Sequence, residues 1–186
     1  MPKLIYAYLV SLDGYVADEQ GEFRWSAPDD EVLAFITELE QDVRTHLYGR
    51  RVYELMVAWE TDADLVASSP GNAAFAEVWT AAEKIVFSRT LDAVTTARTR
   101  LEREFDPELV RRIKEEATSD LHVSGADLAA SALRAGLVDE VHLFVVPRVV
   151  GGGTPMFPAG VRLDLELLDE RRFSGGTTFL RYAVRP

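Results

Sequence analysis

Residues 120–157 read DLHVSGADLAASALRAGLVDEVHLFVVPRVVGGGTPMF. Leu121–Ser124 is a short apolar run, and a glycine follows it at once. Leu128, Ala129, Ala132 and Leu133 then recur at helical spacing from about Ala126 to Ala135, and Glu140–Val149 is a second apolar run. Strand, glycine turn, helix and strand in this order form a crossover unit, which makes the two strands parallel neighbours or near-neighbours in one sheet. The stretch therefore predicts an α/β protein.

The rest of the chain extends that unit in both directions. Lys3–Val10 (KLIYAYLV) is apolar on both alternations, as a strand covered on both faces must be. The next twenty residues are rich in Gly, Asp and Ser and predict a long loop with turns at Asp13-Gly14 and Gly21. Val32, Leu33, Phe35, Ile36, Leu39 and Val43 predict a helix capped by Ser26 or Asp29, with Pro28 near its first turn. His46-Leu47-Tyr48 and Lys84–Ser88 are further strands, and Val52–Ala58 and a segment around Phe75–Ala82 are helices. Residues 61–73 read as a polar loop, 98–101 as a short strand, and Asp106-Pro107 opens a helix to about Ala117. Leu163–Phe173 and Thr177–Val184 flank Ser174-Gly175-Gly176 as a hairpin. The expected architecture is a three-layer α/β domain spanning residues 1–186, with a mostly parallel twisted sheet and an antiparallel C-terminal edge.

Composition narrows the function classes. The 186 residues are 47% hydrophobic and 27% charged, as expected of a folded globular chain. There is no cysteine, which removes disulfides, thiolate metal sites and cysteine nucleophiles. The formal net charge of −11 argues against nucleic acid as a partner. No run approaches the roughly 20 apolar residues of a membrane span, and the first residues lack the pattern of an export signal. The expected location is cytoplasmic.

Three predicted strands end in a small or basic turn: Tyr48-Gly49-Arg50-Arg51, Phe87-Ser88-Arg89-Thr90 and Val123-Ser124-Gly125-Ala126. Ligands of open α/β sheets bind beyond the carboxyl ends of strands, and a glycine before a helix lets backbone amides reach a phosphate. Each turn is either such a cradle or a plain connection. Together with Arg50, Arg51 and Arg89 they suit a dinucleotide, and the arginines suit an additional 2′-phosphate, favouring NADPH over NADH. There is no G-x-G-x-x-G run.

Four ordered blocks carry a resemblance: Ser11–Ala17 (SLDGYVA), Gly49–Glu54 (GRRVYE), Val123–Leu128 (VSGADL) with Leu137–Glu140 (LVDE), and Pro147–Pro155 (PRVVGGGTP). The chain resembles the dihydrofolate-reductase-like superfamily, and within it the reductase domain of the riboflavin-biosynthesis deaminase/reductase and its standalone relatives. The deaminase half, with its zinc-binding His and Cys residues, has no counterpart here. The resemblance implies NADPH as hydride donor and a homodimer. It places Gly49, Arg50, Arg51 and Val52 at the cofactor phosphates and ribose, and Ser88, Arg89 and Thr90 near the 2′-phosphate. Ser124, Gly125, Ala126, Asp127 and Leu128 would cradle the pyrophosphate. Leu9, Val16 and Ala17 would meet the nicotinamide, with Gly152, Gly153 and Thr154 as the floor between nicotinamide and substrate.

Candidate catalytic residues are Asp13, Asp30 and Thr154; candidate substrate contacts are Trp25, Asp30 and Tyr53. Asp13 is expected mainly to shape its loop. Trp25-Ser26-Ala27-Pro28-Asp29-Asp30 matches the Trp-x-x-Pro-x-Asp pattern of dihydrofolate reductases, so Asp30 is either a pocket acid or an ordinary helix-start acid. His46, His122 and His142 show no metal-ligand spacing and are read as structural, so no metal is expected. The expected function is an NADPH-dependent oxidoreductase acting on a small conjugated heterocycle, pyrimidine- or pterin-like, or on a carbonyl compound. The alternative is an NADPH-binding protein of the same fold without robust turnover.

Overall fold

The computed structural model describes residues 1–185. The strands are β1 (Leu4–Ser11), β2 (Tyr15–Ala17), β3 (Val43–Gly49), β4 (Glu83–Phe87), β5 (Thr99–Glu102), β6 (Asp120–Ser124), β7 (Glu140–Val146), β8 (Thr154–Pro155), β9 (Asp164–Arg172) and β10 (Thr178–Arg185). The helices are α1 (Asp30–Glu40), α2 (Arg50–Met56), α3 (Ala58–Thr61), α4 (Ala63–Ala67), α5 (Pro70–Ala81), α6 (Pro107–Glu116) and α7 (Ala126–Arg134). Eight strands form one sheet in the order β5-β4-β3-β6-β1-β7-β10-β9. The first six are parallel, and β10 and β9 complete an antiparallel edge. β2 and β8 pair separately.

Period-two alternation divides the core between the two faces of the sheet. Leu47, Ile85 and Val123 pack with Leu128, Ala129 and Leu133 of α7 and with Val110 of α6. Their chain neighbours Tyr48 and Val86 pack instead with Leu33 of α1 and with Phe75 and Trp79 of α5. Trp79 is fully buried, and its Nε1 donates to Tyr48 Oη at 3.0 Å, so the largest side chain of this layer leaves no polar atom unpaired. Lys84 is also buried. Its Nζ donates to the carbonyls of Trp79 and Ala82, closing the C-terminus of α5.

Three sequence expectations shift. The first helix stops at Glu40, and Val43 instead opens β3 opposite Asp120. The strand expected to reach Val149 ends at Val146, before Pro147. Residues 61–73, expected as a polar loop, hold α4 and the start of α5. Asp62 accepts from Leu65 N at 2.9 Å, and Ser69 caps Asn72 N at 3.1 Å with Pro70 in the first turn of α5. Both capping signals were in the sequence; short helices lack the periodicity that draws attention to them.

Candidate functional site

A cleft of about 1030 Å³ opens beyond the carboxyl ends of β1, β3, β4 and β6 and runs back beneath α1, α5 and α2. One half is built from strand-to-helix turns. Gly49 and Gly125 begin α2 and α7, and neither helix has a side-chain cap, whereas α1, α4, α5 and α6 are all capped by Asp or Ser. The first amides of α7 therefore reach the cleft without an internal partner. Gly125 has φ of +108°, and a Cβ there would lie 3.5 Å from Gly49 N. The two turns thus touch, and a side chain would stand between them.

Ser124, Gly125, Ala126, Asp127 and Leu128 line the cleft, as do Gly49, Arg50, Arg51, Val52, Ser88 and Arg89. Thr90 is set back and holds Arg50 in place: Arg50 Nη1 donates to Thr90 Oγ1 at 2.9 Å, and its Nε to Glu54 at 2.7 Å. Arg89 faces Glu104 at 3.4 Å. Arg51 makes no ion pair or hydrogen bond among the described residues and stands where the cleft meets a smaller hollow lined by Gly153 and Thr154. Arg103, which the sequence reading passed over, also lines the cleft while its Nη1 donates to Leu91 O at 2.6 Å. The donor set fits a dinucleotide: open helix amides for a pyrophosphate and cations beside them.

Leu9, Val16, Ala17 and Thr154 line the middle of the cleft. Leu9 comes from β1, and the other three are brought together by the β2–β8 pair, in which Ala17 faces Thr154. Gly152 and Gly153 press against the 17–19 backbone and side chains instead of lining the main cleft. Asp13 lies outside it. Its carboxylate accepts from Gly151 N at 2.7 Å and Val150 N at 3.2 Å, tying the glycine loop to the β1–β2 turn. A Ser11 hydrogen bond and these amides hold its carboxyl below the usual range.

Three expected contacts are corrected. Asp30 is exposed in the first turn of α1 and does not line the cleft; its neighbour Asp29 is the cap, accepting from Val32 N at 2.9 Å. Trp25 is turned into its own loop, where Nε1 donates to Glu22 O at 2.8 Å, although the flanking Arg24 and Ser26 do line the cleft. Tyr53 is buried away from the cleft, with its hydroxyl 3.0 Å from Thr96 Oγ1 and accepting from Thr95 N at 2.8 Å. It therefore anchors the 94–99 segment.

The other half of the cleft is apolar and aromatic, with Leu33, Ile36, Met56, Trp59, Phe75 and Trp79 on its walls. At its floor lie Glu40, His46 and His122. Sequence reasoning missed this trio because its members are far apart in the chain; the parallel register sets His46 against His122, and the last turn of α1 lays Glu40 over both. His122 Nδ1 is 2.8 Å from Glu40 Oε1. Burial opposes charge on Glu40, but His122, its hydrogen bond and the neighbouring histidines hold the carboxyl at about 2. Burial also opposes charge on His122, and Glu40 more than restores it, raising the imidazole above its ordinary value. His46, desolvated and only partly compensated by Glu40, is held down at about 4.

Known proteins share this fold. The chain matches the family described as RibD C-terminal domain over residues 2–179. It is 29% identical over 185 residues to the uncharacterized protein YyaP of Bacillus subtilis, covering 97% of this chain and 94% of that one. A structure from Shewanella sp. PV-4, provisionally named for riboflavin biosynthesis, superposes with a TM-score of 0.77 at 21% identity, covering 99% of both chains. A pyrimidine reductase-like protein of Corynebacterium diphtheriae gives 0.67 at 14% identity, covering 100% of this chain and 92% of that one. Dihydrofolate reductase of Enterococcus faecalis gives 0.65 at 12% identity, covering 99% and 97%. The fold is dihydrofolate-reductase-like, and the four ordered sequence blocks lie within or beside the matched residues. The chain belongs to the RibD C-terminal domain family.

Proposed function

We propose that the protein is an NADPH-dependent reductase acting on a small, flat heterocycle or conjugated carbonyl compound. The single observation that carries this reading is the pair of adjoining uncapped helix starts, Gly49 and Gly125, flanked by Arg51 and Arg89. When bound, NADPH supplies the hydride. The amides at the start of α7 hold the pyrophosphate with Arg51 beside them, and Ser88 with Arg89 receives the 2′-phosphate. Leu9, Val16, Ala17 and Thr154 position the nicotinamide end. The aromatic half of the cleft, with Phe75, Trp59 and Trp79, takes a flat ring and excludes water from it.

The substrate class draws support from the similar proteins named for pyrimidine and dihydrofolate reduction. Among the described residues no helix is long and apolar enough to cross a membrane; a cytoplasmic setting belongs to the proposal. A homodimer belongs to the same reading: β9 is an exposed edge strand bearing Leu165, Leu167 and Leu168, and a second copy would cover it. Calorimetry with NADPH and NADH tests the cofactor. The expected result is one NADPH per chain and weaker NADH binding. NADPH oxidation across pyrimidine, pterin, quinone and carbonyl compounds then tests turnover. Absence of NADPH binding would remove the proposal.

A further inference from the structure

The trio at the cleft floor has more polar atoms than partners. Glu40 Oε2, both ring nitrogens of His46 and His122 Nε2 are buried and find no hydrogen-bond partner among the described residues. Buried polar atoms are rarely left so in native proteins, and four together on three side chains call for an occupant. The spacing indicates which kind. His46 Nε2 stands 3.7 Å from Glu40 Oε2. That is too long for a hydrogen bond. It is close to the separation of about 3.4 Å between two ligand atoms of a tetrahedral cation with bonds of about 2.0–2.1 Å.

One ligand atom from each of Glu40, His46 and His122 lies within 4.8 Å of the other two. The His46 ring is already oriented. It stacks on Tyr48 with an interplanar angle of 1° and a centroid separation of 5.5 Å, and the Tyr48 hydroxyl is held by Trp79. The geometry points to a divalent zinc-class cation held by Glu40, one ring nitrogen of His46 and one of His122.

Two imidazoles and a carboxylate suit zinc and its neighbours in the first transition row, while calcium and magnesium prefer oxygen ligands. Binding would displace the proton shared by Glu40 and His122, so the cation would compete with that ion pair. Because all three side chains line the cleft, the fourth position would open into its aromatic half. Three protein ligands and one open position are the arrangement of zinc sites that meet a substrate atom or a water. The inference stands apart from the dinucleotide reading, since it uses none of the residues at Gly49, Ser88 or Gly125.

The test uses the intact protein, stripped with a chelator and titrated with Co(II) as a visible probe, followed by displacement with Zn(II). The expected result is one saturable equivalent of Co(II) with the ligand-field bands of a low-coordinate nitrogen and oxygen site, lost on addition of zinc. Glu40→Gln and His46→Phe should each weaken Zn(II) binding at least tenfold, with NADPH binding unchanged. His142→Gln, a buried histidine paired to Glu140, should bind Zn(II) as the wild type does. If either ligand variant fails to fold, the imidazole nitrogen resonances of the wild type decide, because zinc should shift those of His46 and His122 but not that of His142. Absence of stoichiometric Co(II) binding, or binding that survives both substitutions, would overturn the site and leave a hydrogen-bonded polar cluster.

Discussion

A Cβ on Gly153 would overlap the carbonyl oxygen of Ala17, so the two backbones meet where no side chain fits. Asp18 lies almost as close, and Gly153 has φ of +125°. This contact seats β8 against β2 and brings Ala17 and Thr154 to the middle of the cleft.

Gly153→Ala should therefore push the glycine loop off the β1–β2 segment. Overpacking against backbone and the positive φ together should cost about 1–3 kcal/mol in urea unfolding. NADPH affinity should fall as well, because the displaced segments carry Val16, Ala17 and Thr154. A variant with the wild-type midpoint and affinity would show that the glycine loop does not set the cofactor end.

Among the described residues Arg51 is the lining arginine left without a partner, whereas Arg50 is committed to Glu54 and Thr90. Arg51→Ala should weaken NADPH binding by roughly tenfold, near the lower end for a charge-assisted hydrogen bond because the side chain is exposed. NADH binding should fall by a similar factor, and both losses should shrink at high salt. A loss confined to NADPH would move Arg51 from the pyrophosphate to the 2′-phosphate.

Asp30→Asn should leave NADPH binding and any turnover unchanged and cost less than about 1 kcal/mol of stability, as expected of an exposed acid near a helix N-terminus. Asp29→Ala should cost more, about 0.5–2 kcal/mol, because it removes the cap on Val32 N. A large turnover loss in Asp30→Asn alone would bring the carboxylate back into the chemistry.

The fold was legible because its signals are local. The Asp120–Phe157 unit, the doubly apolar β1 and the terminal hairpin each declare themselves within a few residues. The turns of the proposed cofactor half were legible for the same reason: Gly49 and Gly125 mark turns that a short motif encodes. The floor was not. Glu40, His46 and His122 come from a helix end and two strands, and only the His46–His122 register joins them. The Trp-x-x-Pro-x-Asp pattern misled in the opposite direction. It located a helix start correctly but attached a pocket role to Asp30, which α1 turns to solvent while it carries Leu33 and Ile36 into the cleft.

Glu140 is expected to contribute to the acid limit of the fold. Its carboxylate is buried on the central sheet, bonded to Arg181 Nε at 2.8 Å, Lys3 Nζ at 2.5 Å and His142 Nε2 at 3.0 Å. Burial alone would raise its pKa, but these three partners hold it at about 2. In the unfolded chain a glutamate titrates near 4.3. A depressed folded value means the contribution is complete above pH 4.3 and disappears as pH falls towards about 2, because the unfolded chain takes up the proton first. The shift corresponds to about 2–3 kcal/mol at most, since Lys3 and Arg181 are partly exposed and screened. Glu140→Gln should thus destabilise at neutral pH and show a flatter loss of stability between pH 4.3 and 2 than the wild type. Glu40 titrates in the same window, so the difference between the two proteins, and not either curve alone, isolates Glu140. Urea unfolding at a series of pH values measures it. Parallel curves would mean that the ion pairs around Glu140 persist in the unfolded chain or contribute nothing to the acid limit.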